Sequence, residues 1–166
     1  MSKIYHELII GASAEQVYNA IVRQDGLTGW WTPDVTGGME VNGIVRFGFG
    51  PTYFKEMKVA VLKPFQEVKW ICLAGANEWI GTTLTFRISS GDKQSLLKSN
   101  SEAGDQIQQQ SGDYMTLLKL EHDGWKEYSP MFAECNYTWG RFLRSLKLFC
   151  ETGKGIPWPN QHRVRA

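Results

Sequence analysis

The order of apolar and polar positions changes period several times along the chain. "KIYHELII", residues 3–10, alternates and is rich in β-branched residues, which predicts a first strand. "SAEQVYNAIV" follows, with Val17, Ala20 and Ile21 on one helical stripe. Ser13 suits the N-cap, and Gln16 completes a capping box. "DGLTGWW" predicts a short second helix or turn that ends before Pro33. Beyond it, Asn42-Gly43 is a strong hairpin signal. "IVRFGFG", "YFKEMKVAVL" and "EVKWICLAG" read as strands, with "KPFQ" as the turn between the last two. "WIGTTLTFRIS" alternates over its whole length, with Ile80, Thr82, Leu84, Phe86 and Ile88 on one face.

Residues 91–112, "GDKQSLLKSNSEAGDQIQQQSG", are polar and predict a flexible insertion with a helical turn over Glu102–Gln109. "DYMTLLKLEHDGW" resumes a strand and sets Thr116, Leu118, Leu120 and His122 on one face. From Pro130 to Cys150 the period is helical, through Phe132, Cys135, Trp139, Phe142 or Leu143, and Leu146. Pro130 fits the helix start and Gly153 its end. The chain is thus α+β: strands joined by hairpins into an antiparallel sheet, which a long C-terminal helix must cover.

Composition narrows the function classes. The 166 residues fit one domain, 1–166, and no repeat or linker divides them. A net charge of +1 offers no field for a polyanion, so no nucleic-acid partner is expected. No apolar run is long enough for a membrane span, and the N-terminus lacks a signal-peptide core. A cytoplasmic location is expected. Cys72, Cys135 and Cys150 are widely spaced and match neither a disulfide framework nor a zinc site. The unusual number is 13 % aromatic residues, with 7 Trp. Large flat side chains fill cores and also line pockets, and the stripes alone do not separate the two.

Candidate chemistry is sparse. His122 lies beside Asp123-Gly124, which reads as a turn, so a solvated or turn-capping role is expected over that of a general base. His6 and His162 have no partners at metal-ligand spacing, and neither a metal nor a cofactor is expected. Glu56 and Glu78 read as exposed strand or turn charges, and Cys135 and Cys150 as helix packing. No nucleophile elbow, phosphate-binding loop or carboxylate pair marks an enzyme. The basic ending "QHRVRA" reads as a solvated tail.

Several motifs, in this order, resemble the START-like (SRPBCC) superfamily: "SAEQVYNAI" after a first strand, "GLTGWW", "WIGTTLTFRI", "TLLKLEHDGW" and "WGRFLRSLKLFCETGKGIPWP". Within it they look most like the branch named after the activator of heat-shock-protein-ninety ATPase, grouped with polyketide cyclase-like proteins. The resemblance implies a helix-grip fold: a curved antiparallel sheet wrapped around the long C-terminal helix, with two short helices after the first strand. It also implies a cavity between sheet and helix. Alternation then proposes the lining: Phe47 and Phe49, Met57, Trp70 and Cys72, Thr82, Leu84 and Phe86, and Tyr114, Thr116 and Leu118. The helix would add Phe132, Asn136, Trp139 and Phe142, with Cys135 in the same set. Trp30 and Trp31 would stand at one mouth, one sealing the cavity and the other packing beneath the first helix, with Gly26 and Gly29 as flexible joints. A shared fold does not transfer an activity. The expected function is binding of a hydrophobic or aromatic small molecule. The alternatives are a cyclase- or hydratase-like enzyme in the same cavity, and a chaperone-regulating interaction domain. A protein partner or a homodimer stays open.

Overall fold

The structure, a computed structural model, describes residues 2–164; Arg165 and Ala166, the end of the predicted basic tail, lie outside it. Strand β1 (Ser2–Ile10) leads into helices α1 (Ala14–Val22) and α2 (Gln24–Trp30). Strands β2 (Asp34–Gly37), β3 (Ile44–Gly48), β4 (Phe54–Lys63), β5 (Glu67–Ala74) and β6 (Thr83–Asp92) follow. Helices α3 (Lys93–Ser99) and α4 (Gly104–Gln108) precede strand β7 (Tyr114–Trp125), and α5 (Pro130–Thr152) closes the order. The seven strands form one antiparallel sheet in the order β1-β7-β6-β5-β4-β3-β2. The sheet is curved and unclosed, and α5 lies on its concave side: the helix-grip arrangement.

The local devices read from the sequence are present. Ser13 Oγ accepts the Gln16 amide and the Gln16 side chain returns to the Ser13 N–H, which satisfies two orphan donors of α1. Ser129 caps α5 through the Phe132 N–H, Pro130 opens it, and Gly153 ends it with φ of 86°.

Gly26 and Gly29 serve packing. Both sit within α2. A Cβ on Gly26 would stand 2.6 Å from the Ala20 backbone, and one on Gly29 would overlap the Phe149 ring. Their role is close approach of α2 to α1 and α5, where a larger residue has no room.

The polar stretch 91–112 carries more regular structure than one helical turn. Asp92 Oδ1 accepts the Ser95 N–H at 2.7 Å and caps α3. Leu96 and Ile107 are buried with Ile9, Met115 and Leu117 in a second, smaller hydrophobic cluster. That cluster covers the outer face of β1 and β7. Ile9 and Ile10 therefore point into different clusters and are both fully buried.

Candidate functional site

The main cluster fills most of the space between sheet and α5. Phe47, Met57, Trp70, Cys72, Leu84, Phe86 and Leu118 all point inward and are almost fully buried. Trp31 is the hub. Its ring stacks on Trp30 at 5.7 Å and on Trp70 at 6.0 Å, and meets Phe47 at 4.4 Å. Trp30 turns beneath α1, where its indole N–H donates to the Ala20 carbonyl at 2.8 Å.

Space remains at one end. A cleft of about 330 Å3 opens between α5, the ends of β3 and β4, the turn before β6, and the C-terminal segment. From the sheet side come Phe49, Tyr53, Lys55 and Trp79. Helix α5 contributes Cys135, Thr138, Trp139 and Phe142, one stripe at helical spacing, with Trp31 behind them and the exposed Glu134 at the mouth. The outer wall is Trp158, Gln161 and His162.

The proposed lining thus divides. Trp31, Phe49, Trp139 and Phe142 border the cleft, with Cys135 beside them. Trp30, Phe47, Met57, Trp70, Cys72, Leu84, Phe86, Leu118 and Phe132 pack within the core. Thr82 and Thr116 are buried and bonded: Thr82 to the Trp79 carbonyl at 2.6 Å, Thr116 to the Ala12 carbonyl at 2.6 Å. Two assignments are corrected. Tyr114 is 67 % exposed, because it opens β7 beyond the reach of α5. Asn136 is exposed on the flank of α5 that faces β1, away from the cleft, with Oδ1 3.1 Å from His6 Nε2. Ile80, from the same alternation, is 48 % exposed because it lies in the turn before β6.

Lys55 is the residue that sequence reading missed. It shares the inner face of β4 with Met57 and Val59 and is 6 % exposed. Its Nζ lies 4.2 Å from the Phe49 ring centroid, 4.5 Å from Tyr53 and 4.3 Å from Trp79. Burial pulls its pKa down to about 8, with the Cys135 and Cys72 sulfurs acting in the other direction. Strict alternation from Met57 puts position 55 on the inner face, whereas a lysine's charge argues for the outer one.

His122 is also corrected. It is fully buried, because Asp123 and Gly124 continue β7 through a bulge, with Gly124 at φ of 98°. Its Nδ1 accepts the Trp139 indole N–H at 3.1 Å, so Nε2 carries the proton and donates to Thr82 Oγ1 at 2.9 Å. Burial, then the Lys55 charge, lowers its pKa to about 3. Both ring nitrogens are occupied, so His122 is a structural tie behind the cleft.

The C-terminal segment is a wall of the cleft. The Trp158 N–H donates to the Trp31 carbonyl at 2.8 Å. The Arg141 guanidinium donates to the carbonyls of Gln161 at 3.3 Å and Arg163 at 3.1 Å. His162 stacks on Tyr137 and lies 3.8 Å from the Glu134 carboxylate. The side chains of His162, Arg163 and Val164 are exposed, as a solvated tail requires, while Arg141 fastens the backbone carbonyls of 161 and 163, which a side-chain pattern does not reveal. Among the described residues, no group of three or more His, Cys, Asp or Glu could hold a metal, and no helix is long and apolar enough to cross a membrane.

No family profile and no curated protein sequence matches this chain. Among solved structures, it is similar to the Aha1 dimer from Colwellia psychrerythraea, with 31 % identity and a TM-score of 0.74 over 93 % of this chain and 100 % of that one. It is also similar to CalU16 from Micromonospora echinospora, with 17 % identity and a TM-score of 0.62 over 89 % of this chain and 73 % of that one. DynU16, a protein in the dynemicin biosynthetic locus, matches with 16 % identity and a TM-score of 0.67 over 93 % of this chain and 49 % of that one. At these lower identities the likeness is one of fold.

Proposed function

Because the chain belongs to the START-like superfamily, in its Aha1-like branch, we propose that it is a single-domain binding module whose cleft receives a small hydrophobic or aromatic molecule. The observation that carries this reading is the cleft of about 330 Å3, walled by seven aromatic side chains at one end of an otherwise filled core. Small-molecule sites are mostly apolar concavities with a few converging polar groups. Lys55, Thr138 and Gln161 are such groups here.

Native mass spectrometry of protein purified gently from its own cells tests the reading. A non-covalent adduct, lost on denaturation and absent from the Thr138→Trp variant that plugs the cleft, is expected. Equal native and denatured masses, with no thermal shift across a panel of neutral and anionic aromatic compounds, overturn it.

The cyclase- or hydratase-like alternative draws support from one observation: an ionisable group, Lys55, stands on the cleft lining. Loss of turnover in Lys55→Met with retained binding of the same compound would favour it. The relative from Colwellia psychrerythraea is a dimer, which supports pairing of this chain with a second copy; sedimentation velocity at micromolar concentration tests that. The cysteines Cys72, Cys135 and Cys150 are unpaired, which fits a cytoplasmic setting.

A further inference from the structure

Burying an ammonium without a counter-charge is costly, and proteins rarely leave one so unless it is used. Lys55 is in that position. Its charge is surrounded by the faces of Phe49, Tyr53 and Trp79 and by the thiols of Cys72 and Cys135, with no carboxylate or hydrogen-bond acceptor engaged among the described residues. The three rings offset part of the lost hydration through their quadrupoles. Lys55 and the three rings line the cleft together, and no acceptor from the described residues completes the shell of Nζ.

The neighbouring groups do not neutralise it. Burial raises the pKa of Cys72, Cys135 and Tyr53, so all three stay uncharged at neutral pH. His122, from β7, is neutral for the reason given above. Glu134 is the one carboxylate on the cleft lining, but it lies at the mouth, where its side chain is 70 % exposed and stands 3.8 Å from His162 rather than against Lys55. The cleft therefore combines an aromatic body with one uncompensated positive charge in its wall.

Resting on the ligand reading above, we propose that the ligand is an aromatic carboxylate, its ring system lying against Trp31, Trp139 and Phe142 and its carboxylate on Lys55. The charge pair would form in a water-poor setting, where each interaction is stronger than at the surface. The ammonium form is the one that binds. It predominates at neutral pH, since its lowered pKa still lies near 8.

The test uses the full chain and a matched pair of probes, 1-naphthoate and its uncharged isostere 1-naphthamide. Binding is followed by tryptophan fluorescence, with Trp31, Trp79, Trp139 and Trp158 as reporters on the lining, and by calorimetry. At about pH 6.5, naphthoate is expected to bind at least about tenfold tighter than the amide, as a desolvated charge pair requires. In Lys55→Met the preference is expected to fall below about twofold, while Lys55→Arg keeps most of it. Wild-type preference should also fade at about pH 9.5, as the amine loses its proton. Equal affinity of the two probes for wild-type protein overturns the inference and leaves the cleft reading standing; that comparison needs no variant. Failure of both probes to bind overturns the inference together with the cleft reading.

Discussion

The Trp139 indole N–H donates to His122 Nδ1 at 3.1 Å, which ties α5 to β7 from inside the core. The bond works only while His122 is neutral. A second proton would sit on Nδ1 and face another N–H. The His122 ring also stands 4.4 Å from that of Trp79, over which the Lys55 ammonium lies at 4.3 Å, so the structural imidazole and the cleft cation share one aromatic neighbour.

Acid is expected to weaken the fold through this residue. The folded-state pKa is lowered to about 3 from 6.5, so the unfolded chain takes up a proton that the folded chain refuses. The stability is complete above about pH 6.5 and is lost progressively as pH falls toward 3. The slope should approach about 1.4 kcal/mol per pH unit within that window. Urea midpoints of wild type and His122→Gln, measured across it, separate this slope from that of the carboxylates. Parallel curves would remove His122 as the cause.

Lys55 is expected to lower stability. Its folded pKa of about 8 lies below the ordinary 10.5, so wild type should gain stability as pH rises from 8 toward 10.5. Lys55→Met replaces the charge with an apolar chain of similar length and should stabilise the fold by about 1–3 kcal/mol at neutral pH. Thermal denaturation of both proteins checks this, and an unchanged or lower midpoint for the variant would contradict it.

Close approach at the α2 glycines predicts a graded series. Gly26→Ala meets backbone that cannot swing away and should cost about 2–3 kcal/mol; Gly29→Ala meets the Phe149 ring and should cost about 1–2 kcal/mol. Gly104→Ala, whose new methyl has only the Leu97 side chain at 3.7 Å, should be neutral or stabilising. Denaturant midpoints for the three variants give the ranking.

The Arg141 fastening predicts local change. Arg141→Ala removes the donors to the Gln161 and Arg163 carbonyls, so amide exchange over 158–163 should accelerate. The melting temperature should move by less than about 2 °C, because α5 keeps its buried face. Equal exchange in wild type and variant would show that the Trp158 to Trp31 bond alone holds the segment.

Much of the architecture was legible along the chain because each device is local. The capping box at Ser13 and Gln16, the Pro130 start and Gly153 end of α5, and the alternation through Leu84, Phe86 and Ile88 each depend on neighbours a few residues away. Alternation even reached Lys55 and His122. Both share a face with apolar partners in sequence, yet polar side chains usually face water and Asp-Gly usually turns a chain, so the pattern alone does not mark either as buried.

The sequence by itself determined the face of each strand, the stripe of α5 and the order of elements that marks the superfamily. The tertiary structure decided depth. Phe47 and Phe49 share one alternation, yet Phe47 is locked under Trp31 while Phe49 borders open space. That difference is set by sheet curvature and by where α5 stops covering it. It also depends on backbone carbonyls of 161 and 163 that Arg141 draws back from the far end of the chain. Period is encoded in neighbours; a void is encoded in what distant segments fail to fill.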